Sequence, residues 1–337
     1  MRLLNGIKKL LHARSTAFGC DISDHSIRFA ALGQEGDHLT LKSFGMHMLP
    51  EGVIVNGEVR DAMGLVQHLR EASAALKGQR LHTPFVVASL PDPQCFLRIV
   101  QLPKISDEEI PKALMAEIEA NIPLSLSDVY YEWESAPAAG DQDHLDVLVA
   151  VAPKVLVDQY VLAYDAAGLK PVAFEVDALS AARSTIPFQD HHERPLMLID
   201  VAFHRATFLI FANGMVRFTA SIPLKAVNAT EAEIKELVKL LAAQVRPYME
   251  FFSTHATHTH LPFTEIQQIL ISGDDFHGSS LATGLSVALG IPVQLANPWV
   301  NILKPPLQEV PMLPYKESLG YATVLGLALR AHHEFSD

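Results

Sequence analysis

The sequence is short of cysteine, of positive charge and of long apolar runs. It has 2 cysteines in 337 residues, 26 Lys and Arg against 38 Asp and Glu, and only 19% charged residues. Cys20 and Cys95 are too few and too far apart for a disulfide framework or a cysteine zinc site, which points to a reducing cytoplasm. The net charge of −12 argues against nonspecific nucleic-acid binding, which needs excess cations to displace counterions. Mean hydropathy is +0.18, yet no uncharged apolar run reaches the ~18 residues of a spanning helix. G-x-S-x-G, P-loop and HExxH patterns are missing as well. What is present is a 49% hydrophobic chain, enough to offset its ordering entropy. At ~150 residues per domain this length predicts two domains, or one with an insertion.

Residues 1–14 hold Arg2, Lys8, Lys9 and Arg14 and no acid. Leu3, Leu4, Ile7, Leu10 and Leu11 recur at helical spacing, so the segment reads as a short basic amphipathic helix suited to an anionic membrane surface or an acidic partner, the alternative being a segment that docks on its own protein. Lys8 and Lys9 interrupt the continuous apolar core that a signal peptide requires. Without this segment the chain is more acidic than the whole, so the basic helix is the part fitted for membrane contact.

Beyond it strands and helices alternate. Phe18 to Ile22, Ser26 to Leu32 and Leu39 to Met48 read as strands, Leu65 to Leu76 as a helix and Phe85 to Leu90 as a buried strand. A second unit follows: strand Cys95 to Leu102, a capping box at Ser106 and Glu109, a helix with Ile110, Leu114 and Ile118 on one face, strands Val129 to Glu134 and Leu145 to Val151, and helix Val155 to Ala167 stopped by Gly168. Its composition suggests an insertion in the first domain. Phe174 to Ala182 reads as strand then helix. Then Leu196 to Val201, Ala206 to Phe211 and Met215 to Ile222, with a tight turn at Asn213-Gly214, repeat the first three-strand pattern, including a strand ending in Asp. A long helix Thr230 to Phe252, a loop with His255, His258 and His260, strand Gln267 to Ser272, and helices Leu281 to Leu289 and Leu319 to His332 complete the chain. The three histidines lack a carboxylate or fourth ligand at fixed spacing and read as a surface loop.

Two Asp-bearing strand-turn-strand units, an insertion between them and a late strand ending in Ser-Gly resemble the actin-like ATPase fold. Within it the chain resembles the PilM family of type IV pilus assembly proteins and, more loosely, FtsA. The resemblance is carried by Gly19-Cys20-Asp21-Ile22 with Ser26-Ile27-Arg28, Leu49-Pro50-Glu51-Gly52 with Val55-Asn56-Gly57-Glu58, Leu102-Pro103, Ala116 to Leu124, Ala166 to Leu169, Leu270-Ile271-Ser272-Gly273, Asn297-Pro298-Trp299 and Gly326 to Arg330. It implies an α/β protein with a duplicated actin-like (RNase H-like) core, an inserted α+β subdomain and a reduced fourth subdomain. The implied division is 15–90 with 173–190 for the first domain, 91–172 for the insertion and 191–337 for the second domain.

The resemblance places a nucleotide between the two turns, with Asp21 and Asp200 orienting hydrated magnesium and Ser23, Ser26, Arg28, Thr207, Gly273 and Asp274 around it. Turns that cradle phosphate by backbone N–H need glycine. Here Ser23 replaces the first glycine, Ala202-Phe203-His204-Arg205 the second, and Ser272-Gly273-Asp274-Asp275 stands where relatives carry a glycine run. These departures argue against ATP hydrolysis and for no cofactor, an active Mg-ATPase being the alternative. Glu175 matches the acid placed near the attacking water in ATP-hydrolysing relatives, or is a solvated acid at a strand-to-helix turn. The family also implies a cytoplasmic adaptor at the inner membrane that binds the N-terminal tail of a single-pass PilN-like protein, and homo-oligomer formation. Glu117, Asn121, Ile122 and Pro123, with strands Cys95 to Leu102 and Leu145 to Val151, are the candidate groove.

Overall fold

The computed structural model describes residues 17–106, 108–135, 144–188, 194–225, 230–258, 263–274, 278–303 and 310–335. The basic segment with Leu3, Leu4, Ile7, Lys8, Lys9, Leu10 and Leu11 lies outside these, as do His260 and Asp275.

The first half begins with β1 (Phe18–Ile22), β2 (Ser26–Glu35) and β3 (His38–Met48), an antiparallel run. A small hairpin, β4 (Ile54–Val55) and β5 (Glu58–Val59), turns through Asn56 and Gly57 at φ 52° and 80°. Positive φ at both central positions is what its Asn-Gly pair supplies. Helix α1 (Ala62–Ala74) starts where the Asp61 carboxylate accepts from the Gly64 N–H at 2.9 Å, and it buries Leu65, Leu69 and Ala72. Then β6 (Lys77–Gly78) pairs with β3, and β7 (Phe85–Leu90) lies parallel to β1.

The insertion is β8 (Phe96–Pro103), α2 (Ile110–Asn121), β9 (Val129–Ser135) and β10 (His144–Pro153), a three-stranded sheet in the order β8-β10-β9. The Glu109 carboxylate accepts from the Ser106 N–H and hydroxyl at 3.0 and 2.9 Å, the reach-back contact of a capping box. Ile110, Leu114, Ile118 and Ile122 pack on Val147, Val149 and Val151 to form a separate small core.

Helix α3 (Lys154–Ala167), which sequence pattern groups with the insertion, instead covers the first sheet. Leu156, Tyr160, Ala163 and Tyr164 share a core with Phe18, Ile27 and Leu69. Gly168 ends α3 at φ 86°, a left-handed cap that frees the chain to turn into β11 (Lys170–Val176). The first sheet then reads β11-β7-β1-β2-β3-β6.

After α4 (Asp177–Thr185), the second half repeats the plan with β12 (Leu196–Ala202), β13 (Arg205–Ala212) and β14 (Met215–Pro223). Asn213 and Gly214 make the predicted tight turn at φ 52° and 73°. Helix α5 (Glu231–His258) is capped by Thr230 and Glu233, which exchange side chain to backbone hydrogen bonds at 3.3 and 3.1 Å. It continues through His255 and His258, so these belong to a helix and not to the loop expected there. Then come β15 (Gln268–Gly273), α6 (Gly278–Leu289) and β16 (Val293–Leu295), giving a sheet β14-β13-β12-β15-β16. Three antiparallel strands followed by two parallel ones is the order of both sheets. Between β14 and β15 the described residues hold the single helix α5 and no further sheet.

Helix α7 (Tyr315–Ser318) leads to α8 (Ala322–Phe335), which crosses back to the first sheet, while α4 packs on the second. The two helices cross where a Cβ on Gly326 would collide with the Ser180 carbonyl, so glycine is what permits their approach. No helix among the described residues is long and apolar enough to cross a membrane.

Candidate functional site

The hairpin turns β1–β2 and β12–β13 face each other across the gap between the halves. Asp21 pairs with Arg28 across the first hairpin, and Asp200 with Thr207 in the same register across the second. At the same register His25 corresponds to His204, and their rings meet in a tilted contact, centroids 4.3 Å apart with planes at 42°. The two turns are therefore in contact. Burial and the neighbouring His204 push the His25 pKa down, in the direction of the neutral ring that such a contact tolerates.

The first turn also satisfies its own backbone. The Ser23 hydroxyl accepts from the N–H groups of His25 and Ser26 at 3.4 and 3.1 Å and lies 3.1 Å from the Ser26 hydroxyl. Those N–H groups are the donors a phosphate cradle would need. Asp24 accepts from the Asn56 and Gly57 N–H groups, each at 2.8 Å, which ties this turn to the β4–β5 hairpin and accounts for the Asn-Gly motif there.

Behind the turns runs a network of acids and arginines. Arg28 donates to Asp274, stands 5.7 Å from the Tyr321 ring centroid and leaves its Nε without a partner. The Ser272 hydroxyl donates to Asp200 at 2.6 Å, and Ser89 hydrogen-bonds Asp21. On the other side Arg205 pairs with Asp177 at 3.0 Å, while Ser221 donates to Asp92 at 2.7 Å and lies 3.0 Å from the Thr207 hydroxyl. Burial raises the pKa of Asp21, Asp92, Asp200 and Asp274, against the pull of Arg28 or Arg205. Asp177, also buried, is pushed up to about 7. The five acids share two arginines, so burial disfavours their charged forms more than the arginines favour them.

Gly273 has φ 121°, and a Cβ there would strike the Val201 backbone. Its glycine serves the close approach of β15 to β12. The donor set suits a hydrated divalent cation at Asp21 and Asp200, while in the first turn the N–H groups of His25 and Ser26 are engaged by Ser23, and the His25 and His204 rings lie in contact between the turns.

Sequence reasoning anticipated Asp21, Ser23, Ser26, Arg28, Asp200, Thr207, Gly273 and Asp274, and the structure gathers them here. It missed Asp92, Asp177, His25 and His204. One signal was available: Asp21, Asp92, Asp177, Asp200 and Asp274 all lie within two residues of the carboxyl end of a parallel strand, where open α/β sheets form their clefts.

Glu175 is held elsewhere. Its carboxylate takes both arms of Arg183, accepts from Ser180 at 2.5 Å and lies 3.6 Å from Arg330. A carboxylate so engaged fastens β11 to α4 and α8. In the insertion, Glu117 is half-buried, Pro123 is exposed and Asn121 ends α2. Ile122 is buried in the insertion's own core, which removes it from any groove surface. The other face of β8 and β10 is also occupied: Asp146 pairs with Arg217 of β14 at 2.5 Å, and Leu97 packs on the second half. Exposed apolar groups lie instead where the insertion meets α3. Val155 and Leu162 are 71% and 69% exposed on one face of that helix. Between them Asp158 accepts from the hydroxyl of the exposed Tyr130 at 3.2 Å.

No curated protein gives a significant match to this chain. Among solved structures it is similar to a PilM–PilN type IV pilus biogenesis complex, at 22% identity, with 94% of this chain and 99% of that chain covered and a TM-score of 0.77. Weaker likenesses are to the ethanolamine utilization protein EutJ from Carboxydothermus hydrogenoformans (12% identity, 97% of each chain, TM-score 0.46). The cytoplasmic domain of EpsL, an inner membrane component of the type II secretion system of Vibrio cholerae, is similar at 12% identity, 92% and 95% coverage and TM-score 0.46. The family described as type IV pilus assembly protein PilM matches residues 19–224. That span takes in the first sheet, the insertion and the second Asp-bearing hairpin, and the chain belongs to this PilM family, with its actin-like fold.

Proposed function

We propose that the protein is a cytoplasmic adaptor of an inner-membrane, type IV pilus-like assembly platform, binding the N-terminal tail of a PilN-like membrane protein while its nucleotide cleft is degenerate. One observation supports the second half of this reading: the His25 and His204 rings are in tilted contact, centroids 4.3 Å apart, where phosphates would separate the turns. The spent N–H groups of the first turn and the arginines already paired with Asp274 and Asp177 support it. Family membership and the likeness to a solved PilM–PilN complex favour the partner class.

The docking surface in this reading is the face with Tyr130, Val155 and Leu162, in place of the buried Ile122. An anchor side chain of the tail would cover the exposed aliphatic groups, with Asp158 and Lys154 as polar ends. The basic segment 1–14 would hold the acidic body at the membrane. Self-association through the insertion is part of the same reading.

Calorimetry of the full chain with the synthetic tail peptide tests it. Binding is expected, weakened at least ~10-fold by Leu162→Asp, because burying one leucine is worth ~1.5–3 kcal/mol. Mg-ATP should give no heat. Failure of the peptide to bind overturns the adaptor. The second reading, a working Mg-ATPase, is favoured by the adjacent acids Asp21 and Asp200. Mg-ATP binding abolished by Asp21→Ala and by Asp200→Ala would establish it.

A further inference from the structure

Three metal-ligating side chains meet outside the cleft. His47 comes from β3, and His68 and Glu71 come from successive turns of α1, three residues apart on one helix face. The ligand atoms are His47 Nε2, His68 Nδ1 and a Glu71 carboxylate oxygen, Oε2. Their separations are 2.9 Å between the imidazoles and 3.5 and 3.4 Å from each imidazole to the carboxylate. A tetrahedral ion with bonds of ~2.0–2.1 Å has ligand atoms ~3.3 Å apart, so the spacing of these three is close to the edges of one tetrahedron.

The surroundings fit as well. Gln67 donates to the other Glu71 oxygen, Oε1, at 2.8 Å, which directs Oε2 at the imidazoles in the way outer hydrogen bonds orient metal ligands. His47 and His68 are about a fifth exposed and Glu71 about half, so an ion has a path from solvent. Among the described residues no fourth His, Cys, Asp or Glu joins the group, which leaves one corner for water.

We propose that His47, His68 and Glu71 form a Zn²⁺ site that clips α1 to β3. In the metal-free state the two imidazole nitrogens at 2.9 Å share a single proton, one donating and one accepting. When Zn²⁺ binds between them, the donor ring changes tautomer, its proton moving through solvent to its other nitrogen, so both rings stay neutral and both facing nitrogens become ligands.

The test uses the full chain stripped with a chelator. Co²⁺ should bind with the intense visible absorption of a tetrahedral site, and one equivalent of Zn²⁺ should bleach it. His68→Asn should weaken Co²⁺ binding by more than ~100-fold, beyond the 10–100-fold typical of lost outer partners. Glu71→Gln, at an exposed position that disturbs no core, should weaken it at least ~10-fold, while circular dichroism stays unchanged. Zn²⁺ should raise the Tm of the wild type and not of Glu71→Gln. Absence of the visible band in the wild type, or a band unaltered in both variants, overturns the site.

Discussion

The two halves of the molecule lay five strands in one order but divide side-chain volume between sheet and helix in opposite ways. In the first, Gly19 faces Ala30 across β1 and β2, and the α8 backbone at Val324 and Ala328 comes down on Gly19, with Val324 and Leu325 in the same core as Ala30. At the same register in the second, Leu198 faces Leu209, and the helix above is α4 with Ala178, Ala181 and Ala182. Each sheet therefore accepts one helix: α4 on the first sheet would leave voids, and α8 on the second would overlap the leucines. The charges differ likewise. Arg28 in the first hairpin corresponds to Thr207 in the second, and only Arg28 reaches across to the other half, to Asp274.

Transplanting a residue from one half to the other breaks this complementarity. The largest effect is expected from Gly19→Leu, which copies Leu198. A Cβ at Gly19 already falls 2.6 Å from the Val324 carbonyl and 2.7 Å from the Ala328 nitrogen. Overpacking against helix backbone should cost at least ~3 kcal/mol, read as a lowered urea midpoint or loss of soluble protein. A midpoint within experimental error of wild type would show that α8 can lift away.

Arg28→Thr, copying Thr207, is next. It leaves Asp274 and the neighbouring Asp21 without their cation at sites where the Arg28 and Asp274 side chains are 7% and 12% exposed. Breaking such a pair should cost ~3 kcal/mol near neutral pH. The loss should shrink in acid, where the orphaned carboxyls take up protons.

The smallest effect separates the other arginine. Asp177 beside Arg205 keeps its proton up to about 7, against ~3.9 for an unfolded aspartate. Between those values the folded state holds more protons, so this group stabilises fully below ~3.9, and its contribution is lost as pH rises through 7. Urea midpoints at pH 5 and pH 7.5 should fall more for the wild type than for Asp177→Asn. Equal falls would mean that Arg205 already holds Asp177 ionised.

Most of the fold was legible because its signals are local. The turn at Asn213-Gly214, the Gly168 cap, the Ser106–Glu109 contact and the repeated Asp-bearing hairpins each depend on residues close in sequence. The site was half legible. Asp21 and Asp200 follow from the hairpin pattern, whereas Asp177 and Asp92 gain meaning only when distant strand ends converge. The place of α3 was misread because an amphipathic helix specifies that one face is buried, and not which sheet buries it. Scarce cysteine excluded thiolate sites, but it is silent on His47, His68 and Glu71, which are brought together by the packing of a helix on a strand.

By itself the sequence determined the duplicated strand-turn-strand units and the insertion between them, because backbone preference and hydrophobic period act over a few residues. Only the tertiary structure decided that His25 and His204 meet, that Arg28 spends its charge on Asp274, and that Ile122 points inward while Leu162 points out. Those outcomes depend on which surfaces exclude water together, and burial couples residues without regard to their separation along the chain.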